Sequence, residues 1–184
     1  FIDSATLREN VVALARNIGY LPKSRKSSSA FITFFVDTTN LTPRPSTITL
    51  RKGPVASSSG NFGNSSFIFS IAEDITVPVV DNTAEFNNIQ INEGSLLTTN
   101  FTYSSRNPNQ KFILPNIGID TDLITVSVKT DNSEFAPSTK YSKQDSLFDI
   151  TKDSNVYYLQ ESDDEQYEIF FGDNVFGKAL EDGN

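Results

Sequence analysis

The sequence predicts a mainly β protein, made of antiparallel β-sandwich or barrel-like modules, with one amphipathic α-helix and an extended arm at its amino end. Three observations support this fold class. Only 37% of the 184 residues are hydrophobic, and the abundance of Ser, Thr and Asn favours strands and turns. Short alternating runs of β-branched and aromatic residues recur from residue 30 onward. These runs follow one another too closely to be strands of βαβ units.

The helix is predicted over residues 7–18, where apolar side chains recur at spacings of three and four. Thr6 and Glu9 fit a capping box, Gly19 fits the position after the last turn, and Pro22 prevents continuation. The apolar face consists of Leu7, Val11, Leu14, Ala15 and Ile18. A helix of this length is marginal alone in water, so its apolar face must be buried. Two sites are open: the sheet of its own chain, or a partner helix in an oligomer.

A polar segment, the basic arm, follows the helix over residues 22–29 and carries Lys23, Arg25 and Lys26. Fully extended, such a segment reaches on the order of 25 Å. It can therefore hold the helix away from the β modules, even on a neighbouring subunit.

Ten strands are predicted from the alternating runs, separated by turn-forming segments at 42–45, 57–64 and 81–82. They cover residues 30–36, 47–50, 66–71, 75–80, 86–91, 96–103, 111–114, 123–129, 156–160 and 165–171. One set of strands ends and another begins near residues 92–94. We therefore predict a helix and arm over 1–29, a first β module over 30–92 and a second over 93–184.

The last residues, 170–184, combine paired aromatics with closely spaced turn residues. We expect Gly172, Gly177 and Gly183 to occupy backbone positions with positive φ. The run is typical of a strand that enters a tight turn, with another strand beyond residue 184. Because the sequence also begins with Phe1 and has no Met, we expect it to be an internal piece of a larger protein, with its second module truncated.

The composition excludes several classes of function. The chain has no His and no Cys, so a Ser-His-Asp triad, a thiolate nucleophile and an ordinary zinc site are ruled out. The net charge of -8 disfavours nucleic acid and anionic membranes as partners. The acidic clusters lack EF-hand spacing. We expect no catalysis, no cofactor and no metal.

A carbohydrate- or receptor-binding β module, of a phage tail or a surface adhesin, is the alternative function. The chain has no Trp, so stacking on a sugar ring would have to rest on tyrosines. The candidates are Tyr103, Tyr141, Tyr157 and Tyr158.

Four motifs occur in an order that indicates a family. They are Asn-Val-Val-Ala-Leu-Ala at 10–15, Pro-Lys-Ser-Arg at 22–25, Asn-Pro-Asn-Gln-Lys-Phe-Ile-Leu-Pro-Asn at 107–116 and Phe-Gly-Asp-Asn-Val-Phe-Gly-Lys at 171–178. In this order the chain resembles the large baseplate wedge subunits of T-even-type contractile-tailed phages and the related J-like baseplate proteins. The likeness spans nearly the whole chain.

The resemblance implies a non-catalytic virion protein of the tail baseplate, assembled in the host cytoplasm. Its partners would be other wedge proteins and a second copy of itself. In that family the N-terminal part binds other wedge proteins through helical contacts, which matches an amphipathic helix on a basic arm. We predict that Leu7, Val11, Leu14 and Ile18 bury against a partner. Lys23, Arg25 and Lys26 are predicted to bind an acidic surface beside it.

Overall fold

The computed structural model describes residues 11, 14, 24–58, 66–107, 109–162 and 166–183. They form two compact units. The first unit is Ser27–Thr98, and the second unit is Thr99–Asn184 together with Phe1–Lys26, each within the described residues. The predicted mainly β fold with antiparallel sheets is confirmed, and one sheet is curled into a half-barrel. The predicted segment boundaries at 29/30 and 92/93 stay a prediction.

The first unit is a six-stranded sheet organised around one long strand. Its strands are β1 (Ser29–Asp37), β2 (Thr47–Leu50), β3 (Gly53–Ser58), β4 (Phe67–Ile71), β5 (Ile75–Val80) and β6 (Thr83–Glu93). Strand β1 runs antiparallel along one edge of β6. The other edge of β6 pairs with β5 near its start and with β4 near its end. Strand β2 lies outside β5 and β3 outside β4.

Asparagine residues shape the central strand of this sheet. Asp81 and Asn82, with φ of 49° and 67°, form the tight turn predicted between β5 and β6, and positive φ at both positions is typical of a type I′ hairpin. Within β6, Asn88 has φ of 52° at a bulge opposite Thr33 of β1. The Asn88 N–H donates to Thr33 Oγ1 at 3.0 Å. This bond satisfies a donor that the bulge removes from the ladder.

The core of the first unit lies on one face of the sheet. Phe86 is 1% exposed and stacks on Phe34, directly opposite it on β1, with ring centroids 4.9 Å apart. Ala84, Ile91 and Ile71 are also buried. Because successive side chains of a strand alternate between faces, the odd-numbered residues of β1 lie on the opposite, outer face.

The second unit contains a five-stranded sheet in the order β7-β11-β10-β9-β8. Its elements are β7 (Phe112–Leu114), a 3₁₀ helix (Thr121–Leu123), β8 (Val126–Lys129), β9 (Ser138–Lys143), β10 (Val156–Glu161) and β11 (Tyr167–Phe171). Neighbouring strands are antiparallel except β9 and β10, which are parallel. Residues 144–155 form the connection that a parallel pair requires, and they contain no helix.

The core of the second unit is aromatic. Phe112, Tyr141, Tyr157 and Ile169 form its buried cluster. Phe171 packs edge-on against Phe112 and Tyr141, with ring centroids 5.6 and 5.7 Å apart. The Tyr157 hydroxyl donates to the Ile124 carbonyl at 3.1 Å. Burial, and to a lesser extent the charge of Asp145, raises the pKa of Tyr157, so the phenol remains a donor.

The C-terminal loop corrects one prediction. Gly177 and Gly183 have φ of 99° and 88°, as predicted, but Gly172 does not have positive φ. Position 172 requires glycine for a steric reason, because a Cβ there would overlap the carbonyl carbon of Gly177. The two glycines therefore close the loop by direct backbone contact.

The strand predictions failed at three places. Strands β3 and β9 were not predicted, because β3 begins with Gly53 and Pro54, which read as a turn, and β9 buries only Tyr141. The strand predicted over 96–103 is wrong, since these residues are irregular. Leu96, Leu97 and Phe101 are exposed there, so apolar content alone did not produce a ladder.

Candidate assembly interface

The structure describes four of the seven residues predicted to bind a partner. Val11 and Leu14 have helical backbone. Val11 is 44% exposed and Leu14 is half-buried. Leu7, Ile18 and Lys23 lie outside the described residues, as do the ends of the predicted helix, which stays a prediction.

The basic arm is attached to the second unit through Ser24. Its hydroxyl lies 2.8 Å from Thr121 Oγ1 and accepts the Thr121 N–H at 3.0 Å. Thr121 is buried at the start of the 3₁₀ helix, whose N-cap is Asp120. The Asp120 carboxylate accepts the N–H of Asp122 at 3.0 Å. Ser24 therefore anchors the arm to the hydrogen-bonded start of the 3₁₀ helix, directly before Arg25 and Lys26.

Arg25 and Lys26 are both exposed, but their surroundings differ. The Arg25 side chain lies over Gly118, since its Cδ, Nε and Nη1 atoms are 3.5 to 3.7 Å from where a Cβ at Gly118 would be. Gly118 has φ of 73°, a conformation that suits glycine. The missing side chain leaves room for Arg25. This contact holds Arg25 against its own unit, while Lys26 has an open environment among the described residues.

A second apolar surface was not predicted from the sequence: the outer edge of β1. In the structure β1 pairs only with β6 among the described strands. Thr38 N–H donates to Asn82 O, and Glu93 N–H donates to Ser28 O, each at 2.8 Å. Because of these bonds, the backbone N–H and C=O groups of the even-numbered residues of β1 point toward β6. The backbone N–H and C=O groups of Ser29, Phe31, Thr33, Phe35 and Asp37 therefore point away from the sheet.

The side chains of this edge are unusually apolar for an outer face. Phe31 is 61% and Phe35 is 72% exposed. Edge strands are commonly protected by Lys, Pro or bulges, and β1 contains neither Lys nor Pro. The sequence did indicate an apolar outer face, because Phe occurs on both alternating faces of residues 30–36. It did not show which edge of the sheet would lack a partner strand.

Two of the four tyrosines named for the carbohydrate alternative are buried, and two are half-buried. Tyr141 and Tyr157 are buried in the core, and Tyr103 packs on it. Tyr158 is half-buried, and its hydroxyl donates to the Phe176 carbonyl at 3.2 Å. A sugar ring needs an exposed aromatic face, which Tyr141 and Tyr157 do not offer.

The described residues contain no group of three or more Asp, Glu, His or Cys placed to hold a metal ion. No helix within the described part of the chain combines the length and apolar character needed to cross a membrane. No protein-family model matches the sequence, and comparison with curated proteins finds no match.

Proposed function

We propose that this chain is a non-catalytic assembly module, a structural component of a contractile-tail baseplate wedge. The observation that carries the proposal is the exposure of Val11 on a helical backbone, beside Leu14 and ahead of a basic arm that emerges at Ser24. The four ordered motifs supply the baseplate assignment. An apolar helix face with basic residues at its end fits a groove with an acidic rim.

The contact predicted here has two parts of different physical character. Val11 and Leu14 would bury apolar area, which is the main source of affinity. Lys26, and Lys23 by prediction, would meet acidic groups at the rim, where charges act mainly on the association rate and salt dependence. Arg25 would contribute less, because its side chain packs over Gly118.

The test is incorporation of the chain into tail particles purified from the source that encodes it. Replacing Leu14 with Asp introduces a charge into the proposed interface. We expect the amount of chain in particles to fall about tenfold or more, which corresponds to at least ~1.4 kcal/mol of lost affinity. Mass spectrometry against other tail proteins measures that amount.

The matched control is Leu97→Asp, since Leu97 is an exposed apolar residue in an irregular segment of the first unit. It should leave incorporation unchanged, and thermal unfolding should be the same for both variants. Absence of the wild-type chain from purified particles would reject the baseplate assignment. Normal incorporation of Leu14→Asp would reject the helix as the contact.

A further inference from the structure

We propose that the outer edge of β1 pairs with the same edge of a second copy, antiparallel and centred on Thr33. The two sheets would join across a two-fold axis into one continuous sheet. This inference adds a homotypic contact to the proposed assembly function, but it rests on the geometry of β1 alone. The helix and the basic arm play no part in it.

The first step is that, on its outer edge, β1 has backbone N–H and C=O groups that no other described strand pairs with. Five residues of β1, at positions 29, 31, 33, 35 and 37, direct N–H and C=O away from β6, as the bonds at Thr38 and Ser28 require. A strand of nine residues with such an edge is a template for strand addition.

The second step is the register. In an antiparallel pair centred on Thr33, Thr33 faces Thr33 of the second copy and Phe31 faces Phe35. The five residues of each strand whose backbone groups point away from β6 then all form hydrogen-bonded pairs. A shift by two residues in either direction loses pairs at the ends and places Phe31 opposite Thr33 or Asp37. The centred register is therefore the best one available.

The third step is the symmetry of the strand sequence. Read in either direction, Ser-Ala-Phe-Ile-Thr-Phe-Phe-Val-Asp gives polar ends, apolar flanks and a central Thr. Opposite residues consequently match on both faces: Phe with Phe on the outer face, and Ile32 with Phe34 on the core face. A two-fold contact requires a surface complementary to itself, and this strand meets the requirement.

Charge favours the antiparallel arrangement of the two copies over the parallel one. The acidic group of the strand, Asp37, faces Ser29 of the second copy in this register. The two Asp37 carboxylates thus lie at opposite ends of the paired strands. A parallel arrangement would place like residues opposite each other, Asp37 against Asp37, and like charges directly opposite destabilise a strand pair.

The test compares two variants of the 184-residue chain that differ only in the charge at position 35. In Phe31→Lys with Phe35→Lys, each Lys faces another Lys across the axis. In Phe31→Lys with Phe35→Glu, each Lys faces a Glu. By sedimentation over a concentration series, the wild-type chain and the Lys/Glu variant should dimerise. The dimer dissociation constant of the Lys/Lys variant should rise at least tenfold.

The control is Val80→Lys, because Val80 is exposed on the same outer face but lies on β5 rather than on the edge. It should leave the dimer unchanged. The circular dichroism spectra of all variants should coincide with that of the wild type. A variant that fails this check is replaced by the cysteine measurement below.

Single cysteines give a second measurement, since the chain has no cysteine of its own. A mixture of Phe31→Cys and Phe35→Cys chains should form a disulfide-linked heterodimer, because hydrogen-bonded partners have Cα atoms about 5.5 Å apart. Phe31→Cys alone should not cross-link, since its two copies lie roughly 13 Å or more apart along the strands.

Several outcomes would overturn the proposal. They are a wild-type chain that is monomeric throughout the series, equal behaviour of the Lys/Lys and Lys/Glu variants, and cross-linking of Phe31→Cys with itself. An edge occupied only by a strand of another protein would also overturn it. A dimer that Leu14→Asp abolishes and that the β1 substitutions leave unchanged would reject the β1 contact. The proposed function would then remain intact.

Discussion

The two units differ in how far they depend on polar side chains to stabilise irregular segments. In the first unit, Asp37 accepts the N–H and hydroxyl of Thr39, two residues away. In the second unit, the Asp182 carboxylate accepts the N–H and hydroxyl of Ser105, 77 residues away in sequence. Gln110 similarly bridges Ser104 and Thr102 through both ends of its amide. Asp74 of the first unit also accepts the N–H of a residue distant in sequence, Lys52. Both units therefore use polar side chains to join distant segments, but the second unit depends on them more.

This difference follows from the number of residues in strands. Strand β6 pairs over its whole length with β1 and at both ends with β5 and β4. The described residues 99–107, 109–111, 144–155 and 172–183 of the second unit have no ladder, so their backbone groups need other partners. Stability should accordingly depend more on polar side-chain contacts in the second unit than in the first.

The largest expected effect is the loss of Phe86. Replacing this buried ring with Ala should lower the free energy of unfolding by about 3–5 kcal/mol, because it removes apolar burial and leaves a cavity. Denaturant unfolding measures the change. Phe35→Ala is the matched control, and in the monomer it should cost less than ~0.5 kcal/mol because the side chain is exposed there. Equal effects of the two variants would contradict the assigned core face.

A smaller effect is expected for the Tyr157 hydroxyl. Tyr157→Phe preserves the packed ring but leaves the Ile124 carbonyl without its donor. The expected cost is about 1 kcal/mol, measured by denaturant unfolding at neutral pH. Tyr158→Phe provides the comparison, since its hydroxyl bond to Phe176 is at the surface and should contribute less. A larger loss for Tyr158→Phe would contradict the expectation that the Tyr157 bond contributes more than the surface bond of Tyr158.

The smallest effect is a pH dependence at Asp182. Hydrogen bonds from the Ser105 side chain and N–H lower the pKa of Asp182 from 3.8. Because the folded pKa is depressed, the stabilisation is present above 3.8 and is lost as pH falls through the folded value. Asp182→Asn should therefore lower the Tm most at about pH 6 and little at about pH 2.

Asp37→Asn removes the corresponding carboxylate contact in the first unit. The pKa of Asp37 is also lowered, by the side chain and N–H of Thr39, so its contribution has the same sign. Its contact is local, however, and can persist in the unfolded chain. The difference in Tm from the wild type should be smaller for Asp37→Asn at every pH. A larger Tm difference for Asp37→Asn than for Asp182→Asn would show that the local contact stabilises the chain more than the long-range one.

The sequence predicted strands well where apolar and polar residues alternate. It predicted them poorly where pairing with a neighbouring strand determines whether a strand forms. Strands β2 and β5 have the predicted bounds, and Asp81 and Asn82 form the predicted turn. Strand β9 has little apolar content and exists because β8 and β10 flank it. Of the candidate interface, periodicity indicated the apolar face at Val11 and Leu14. The unpaired edge of β1 could not be predicted, because pairing depends on residues distant in sequence.

The contact between Gly172 and Gly177 provides a criterion for recognising relatives of this chain. A Cβ at position 172 would overlap the backbone of Gly177, and one at 177 would lie 2.6 Å from Val156 Cγ2. Any homologue that retains the loop must retain both glycines, however far the rest of its sequence has diverged. We therefore expect homologues of low sequence identity to retain two glycines five residues apart, directly after two aromatic residues.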